Sequence, residues 1–249
     1  MRPIIHKIKP SRGFSYVLYV LYNALLPILI LLLVRARFEG FALLVILLSK
    51  WRMFAVRPRF WGANIRANAI DAIVGVSTLG MMASTSNNWS HLFYVIAWAW
   101  WLIFVKPRVS VVWVSAQALI GLMLGLMAIF TVWKRAPLLG LVVAVGFVCY
   151  FAAHHFFYSF DEKYTQLLSN IWAYFGAAIT WILGHWLVYY GFVAQPTLII
   201  TTLAFGLSSL YYLDHFGRLT KLIKQQLLFV MTAIVLVILV FSDWGDKII

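Results

Sequence analysis

Between residues 164 and 213 the sequence contains no Asp, Glu, Lys or Arg. A soluble domain carries about 25% charged residues and does not tolerate a run of 50 residues without one. A helix crosses the ~30 Å hydrocarbon layer of a bilayer in about 20 apolar residues, so this run requires two crossings. The turn between them falls near Gly191, Gln195 and Pro196. The whole chain follows the same pattern, with 64% hydrophobic and 11% charged residues over 249 positions. Lipid, rather than a soluble core, is the solvent that fits this composition.

Apolar runs divided by basic or turn-forming residues predict an all-α polytopic transmembrane helix bundle forming a single membrane domain over 1–249. About nine spans are expected, at 14–34, 38–56, 66–84, 89–105, 109–133, 137–158, 166–190, 196–213 and 224–242. The second is the weakest, because its apolar run stops at Ser49 before Lys50 and Arg52. It crosses if those side chains snorkel to the headgroups. If it lies in the interface, eight spans remain. The first run is too long for a signal-peptide core and ends in Arg35 and Arg37, so it reads as a retained span.

The net charge is +13. The basic residues lie between the apolar runs, so they read as a positive-inside signal and an attraction to anionic headgroups at the inner face rather than as a nucleic-acid surface. With nine spans and a cytoplasmic N-terminus, 15 Lys and Arg fall inside and 5 outside; with eight spans the split weakens to 13 and 7. The rule therefore favours nine spans in a plasma (inner) membrane, N-terminus cytoplasmic and C-terminus outside. Trp51, Trp61, Trp89, Trp133, Trp172, Trp186 and Trp244 fall at the expected interfaces, where an apolar ring with a polar N–H is favoured. The single Cys149 excludes a disulfide framework.

Helices in lipid gain little from apolar burial, so close backbone approach at small residues matters. Gly121 and Gly125 make a GxxxG, with Gln117 one turn earlier. Gly176, Thr180 and Gly184 recur every four residues, and Thr202, Gly206 and Ser209 make a similar stripe. All are expected to be packing seams.

Two polar constellations stand out. Asn64, Asn68, Asp71, Gly75 and Thr78 are spaced 4, 3, 4 and 3 residues apart, one stripe of a helix. Asp71 is the one clear case of charge within the hydrocarbon depth of an expected span, and charge at membrane depth marks function by default. This seam reads as a cation or proton ligand, or as a cavity wall; the bland alternative is an Asp in the first turns of a helix, favoured by the dipole. The second constellation, His154, His155, Tyr158, Asp161 and Glu162, closes the sixth span at its inner end. His pairs with carboxylates can bind metal or shuttle protons. Adjacent His residues on one helix do not converge on one ion, so no metal and no cofactor is assigned. His91 and His185 share a depth but read as interfacial residues rather than haem ligands.

No known family is resembled. A retinal-binding Lys in the last span, the His boxes of membrane desaturases, the GxSG of intramembrane serine proteases (Ser209 replaces the second Gly) and a P-loop are all missing. The expected role is non-enzymatic handling of a solute, ion or lipid at the inward seam around Asp71. The alternatives are an assembly subunit with membrane-protein partners and an intramembrane enzyme acting on a lipid-linked substrate.

Overall fold

A computed structural model describes residues 13–244. The N-terminal basic segment and Lys247, whose charges enter the count of inner and outer Lys and Arg, lie outside the described residues. Among the described residues the chain forms nine α-helices: α1 Phe14–Arg35, α2 Glu39–Leu48, α3 Trp61–Ala83, α4 Asn88–Trp100, α5 Val111–Val132, α6 Leu138–Tyr158, α7 Thr165–Leu183, α8 Gln195–His215 and α9 Lys221–Phe241. A short antiparallel hairpin, β1 Tyr189–Tyr190 and β2 Val193–Ala194, joins α7 to α8 around Gly191, whose φ of 63° suits glycine.

Successive passes alternate in direction. At one end Arg35 donates to Asn88 Oδ1 at 3.0 Å, Tyr189 donates to the Phe130 carbonyl at 3.1 Å, and the Asp243 N–H donates to Tyr189 O at 2.9 Å. These bonds gather the ends of α1, α5 and α9, the start of α4 and the hairpin. At the other end Lys106 meets Asp71, Gln117 meets the carbonyls of Val105 and Arg108, and Glu162 meets Tyr211.

Six helices are long and apolar enough to cross a membrane: α1, α4 with its π extension, α5, α6, α8 and α9. α3 and α7 are long enough but carry polar residues, Arg66 and Asp71 in one and Gln166, Ser169 and Asn170 in the other. The second predicted span differs most from expectation. Its helix is only ten residues, about 15 Å at 1.5 Å per residue. From Ser49 the chain continues through two 3₁₀ turns, Trp51–Met53 and Pro58–Phe60, to the start of α3. The seventh helix stops at Leu183 rather than running to 190, and the hairpin takes over.

The central helices α3, α5 and α6 supply Ile70, Val74, Leu122, Leu126, Val145 and Cys149 to one buried cluster. The glycines lie where neighbours press closest. A Cβ on Gly121 would meet Ile70 at 2.8 Å, and one on Gly125 would meet Val148 at 2.8 Å and Ile73 at 3.0 Å. Gly176 faces Cys149, Gly184 faces Leu138, and Gly206 faces Met231 on the peripheral helix α9.

Candidate ionic centre at Asp71

Asp71 is the eleventh of the twenty-three residues of α3 and is 7% exposed. That is about 15 Å along the helix from Trp61, well beyond the first turns, so the N-terminal dipole does not account for it. Its Oδ2 is shared by two ammonium groups, Lys50 and Lys106, the latter at 2.7 Å. Its Oδ1 accepts from the Trp101 indole N–H at 3.2 Å. Three of the roughly four acceptor positions of the carboxylate are thereby used.

Each partner arrives through a break in regular structure. Lys50 lies two residues beyond the end of α2, and it is the shortness of α2 that turns its side chain inward. It is 8% exposed and binds Asp71 instead of snorkelling to headgroups, the behaviour expected if this segment crossed. Trp101 and Lys106 both come from the end of α4, where residues Trp101–Val105 form a π turn. Residues five apart on an α-helix differ by about 140° at 100° per residue. The π turn closes with the Lys106 N–H on the Trp101 carbonyl at 2.8 Å, a five-residue step that brings both side chains to one carboxylate. Single π turns inside α-helices occur frequently at functional sites. Gly75, one turn from Asp71, admits the approach: a Cβ there would meet Trp98 at 3.1 Å and Ile46 at 3.3 Å. At this glycine α2, α3 and α4 close together.

The rest of the seam is spent on backbone. Asn64 donates to the Met53 carbonyl at 3.2 Å and so pins the 3₁₀ turn. Asn68 donates to Asn64 O at 2.9 Å and Thr78 to Val74 O at 2.7 Å, both within α3. Only Asp71 of the stripe enters the ionic centre.

The inner cluster disperses. His155 faces α5, with Nε2 3.2 Å from Gln117 Oε1. His154 lies between the rings of Tyr150 and Tyr158, at 5.9 and 6.0 Å. Glu162 reaches α8, accepting from the Tyr211 hydroxyl and from the Tyr164 N–H at 3.2 Å. These bonds, the Tyr211 one foremost, hold its carboxyl below the ordinary Glu range. Asp161 takes a left-handed backbone at φ 53° in the loop after α6. Among the described residues no three His, Cys, Asp or Glu side chains gather closely enough to hold a metal. His91 places Nε2 3.0 Å from the carbonyls of both Met82 and Thr85, and His185 turns Nδ1 to Trp181 O at 2.7 Å.

Sequence reasoning found Asp71 and missed its partners. From sequence Lys50 reads as a snorkelling or interfacial cation, and Lys106 only as one of the inner-side charges. The signal available was the parity of one buried acid with lysines at the ends of two neighbouring spans. Comparison with protein families, curated proteins and solved structures finds no match for the chain.

Proposed function

We propose that the protein is a non-enzymatic integral membrane bundle that handles an anionic ligand at the Lys50–Asp71–Lys106 centre. One observation carries this reading: a single buried carboxylate oxygen is shared by two ammonium groups. With all three groups ionised the centre holds an excess of one positive charge. Uncompensated charge at low dielectric is expensive, and an anion compensates it. The same charge balance argues against the cation-ligand reading of Asp71, which already answers two ammonium groups. Lys106 is the accessible member, its side chain 36% exposed against 8% for Asp71. The ligand therefore approaches from the Lys106 end, in line with the inward-facing seam expected from sequence.

In this reading the chain crosses nine times, the α2 segment descending as a half-helix completed by 3₁₀ turns. The exposed aromatic residues in and between these turns, Trp51, Phe54 and Phe60, then lie at headgroup level, where such rings are favoured. The N-terminus is cytoplasmic, and the basic inner loops meet anionic headgroups. Cysteines introduced at Arg57 and Lys163 should react with a membrane-impermeant thiol reagent from one side, and those at Arg37 and Lys134 from the other. Labelling of Arg57→Cys from the Arg37→Cys side removes the ninth crossing. The functional test is flux of chloride and inorganic phosphate from proteoliposomes. Wild-type flux that is abolished in Lys50→Met and altered in Asp71→Asn supports the reading. Equal flux in all three, or none above protein-free vesicles, overturns it.

A further inference from the structure

A second site lies away from the ionic centre. Between α5, α6, α7 and α8 lies a half-open pocket of about 280 Å³, walled by Ala118, Leu122, Ala152, Trp172, Ala204 and Leu207 among others. Its two serines make no demand for a polar occupant: Ser115 donates to the Val111 carbonyl at 2.8 Å and Ser208 to Phe205 O at 3.0 Å, each within its own helix. The helices on either side of the opening are tied at both ends, by the hairpin at one and by the Tyr211–Glu162 hydrogen bond at the other. The opening is therefore lateral, and its rim residues Ile171 and Leu207 are 55% and 44% exposed. The cavity is continuous with the apolar outer surface of α7 and α8, which in the membrane reading is the lipid interface.

The charge below the cavity selects among lipids. The three loops at its Tyr211 end carry Arg108, Lys163 and Arg218, and Lys221 and Lys224 open α9. They are offset by Asp161, Glu162 and Asp214, and Glu162 is already bound to Tyr211. Five cations against three acids leave this rim positive, and basic rims between membrane helices hold anionic headgroups.

We infer that this cavity takes one acyl chain of an anionic phospholipid of the inner leaflet, with the headgroup phosphate on the basic rim. The inference rests on the membrane reading but not on the ionic centre at Asp71, so each can fail without the other. Its walls supply shape and dispersion contact, and its rim supplies the choice of headgroup.

The test is native mass spectrometry of the full chain released from nanodiscs of equal parts phosphatidylglycerol and phosphatidylcholine. The wild type should retain phosphatidylglycerol through activation that strips the surrounding lipid. Ala204→Phe, which fills the cavity from α8, should lose it. Val240→Phe, equal bulk on the 68% exposed face of α9, should keep it. Lys163→Gln with Arg218→Gln should retain lipid but lose the preference for phosphatidylglycerol. A wild type that retains no more lipid than Ala204→Phe overturns the inference, as does a dimer that holds no lipid at this face. Should Ala204→Phe fail to fold, acyl-brominated lipids give an independent reading. The fluorescence difference between wild type and Trp172→Phe should be quenched more by brominated phosphatidylglycerol than by brominated phosphatidylcholine, and equal quenching rejects the assignment.

Discussion

The α2–α4 region and the α5–α7 region solve the same packing problem in opposite ways. Around α5 to α7 the helices are regular, the contacts are mostly apolar apart from His155 on Gln117 and Tyr150 on Gln166, and glycines let neighbours approach: Gly121 on Ile70 of α3, Gly125 on Val148, Gly176 on Cys149. Around α2 to α4 one helix is half length, another ends in a π turn, and the contact is an ion cluster. Both irregularities serve Asp71. Fit between apolar surfaces is held by many small dispersion terms, whereas the ionic centre depends on one carboxylate that answers both ammonium groups, so removing it leaves buried charge unpaired. The regular region spreads its stability over many contacts; the irregular one concentrates it on Asp71.

The most severe test is Asp71→Asn, which leaves Lys50 buried without its carboxylate. Breaking a buried pair in this way costs about 3–5 kcal/mol, read as loss of stability in detergent titration. Replacing the pair together, Lys50→Met with Asp71→Leu, should recover most of that loss, because well-packed apolar groups can substitute for a buried pair. A double variant no better than Asp71→Asn would show that the two residues do not act as a unit.

Next in size is the packing seam. Gly125→Ala meets Val148 and Ile73 at 2.8 and 3.0 Å, two β-branched side chains with little rotamer freedom. Overpacking there should cost about 1–3 kcal/mol. Gly206→Ala meets the Met231 side chain from Cγ outward; that side chain is unbranched and can re-orient from its first torsion, so the loss should be smaller than at Gly125, where two β-branched neighbours cannot. If the two cost the same, steric fit is not what distinguishes the regular region.

Lys106→Ala should be milder still. Its side chain is about one third exposed, and pairs that water can reach contribute about 0–1 kcal/mol. Its signature belongs in anion flux rather than stability. A Lys106→Ala variant as unstable as Asp71→Asn would place Lys106 in the dry part of the centre.

Much of this was legible from residue patterns, and what was not has a physical cause. The long apolar passes follow from hydropathy, and most helix ends fall within a few residues of the expected spans. The ends of α2 and α7 do not. α2 stops two residues before Lys50, which meets Asp71 inside the bundle, a partnership that hydropathy cannot register. The run 164–213 has no charge to mark where α7 gives way to the hairpin at Tyr189. The 4, 3, 4, 3 spacing did put Asp71 and its neighbours on one stripe. It did not separate Asp71 from Asn64, Asn68 and Thr78, which bond to nearby backbone, because spacing records which face a side chain is on and not what answers it there. The π turn left no mark at all: Trp101 and Lys106 are on different faces in any α-helical projection. The inner cluster shows the reverse error, since His155, Glu162 and His154 are near in sequence and face α5, α8 and a tyrosine pair respectively.

The smallest expected effect contrasts an exposed tie with the buried one. Glu162 joins the loop after α6 to Tyr211 on α8, and the bonds it accepts lower its pKa below the ordinary 4.5. A carboxyl lowered on folding adds stability that is complete above its unfolded value and disappears as pH falls through the folded one. Stability should therefore be flat from neutral pH to about 5 and decline below the ordinary Glu range. Tyr211→Phe removes the largest cause of the shift, so its profile should be flatter across that acid window and converge with the wild type at the acid end. Glu162→Gln should abolish the same part of the pH dependence and leave the ionic centre untouched, because Asp71 has partners of its own in Lys50, Lys106 and Trp101. Profiles for wild type, Tyr211→Phe and Glu162→Gln that coincide below pH 5 would mean that the loop is held to α8 by the aromatic contacts of Phe157 and Phe160 with Tyr211, at ring separations of 5.1 Å, and not by the carboxylate.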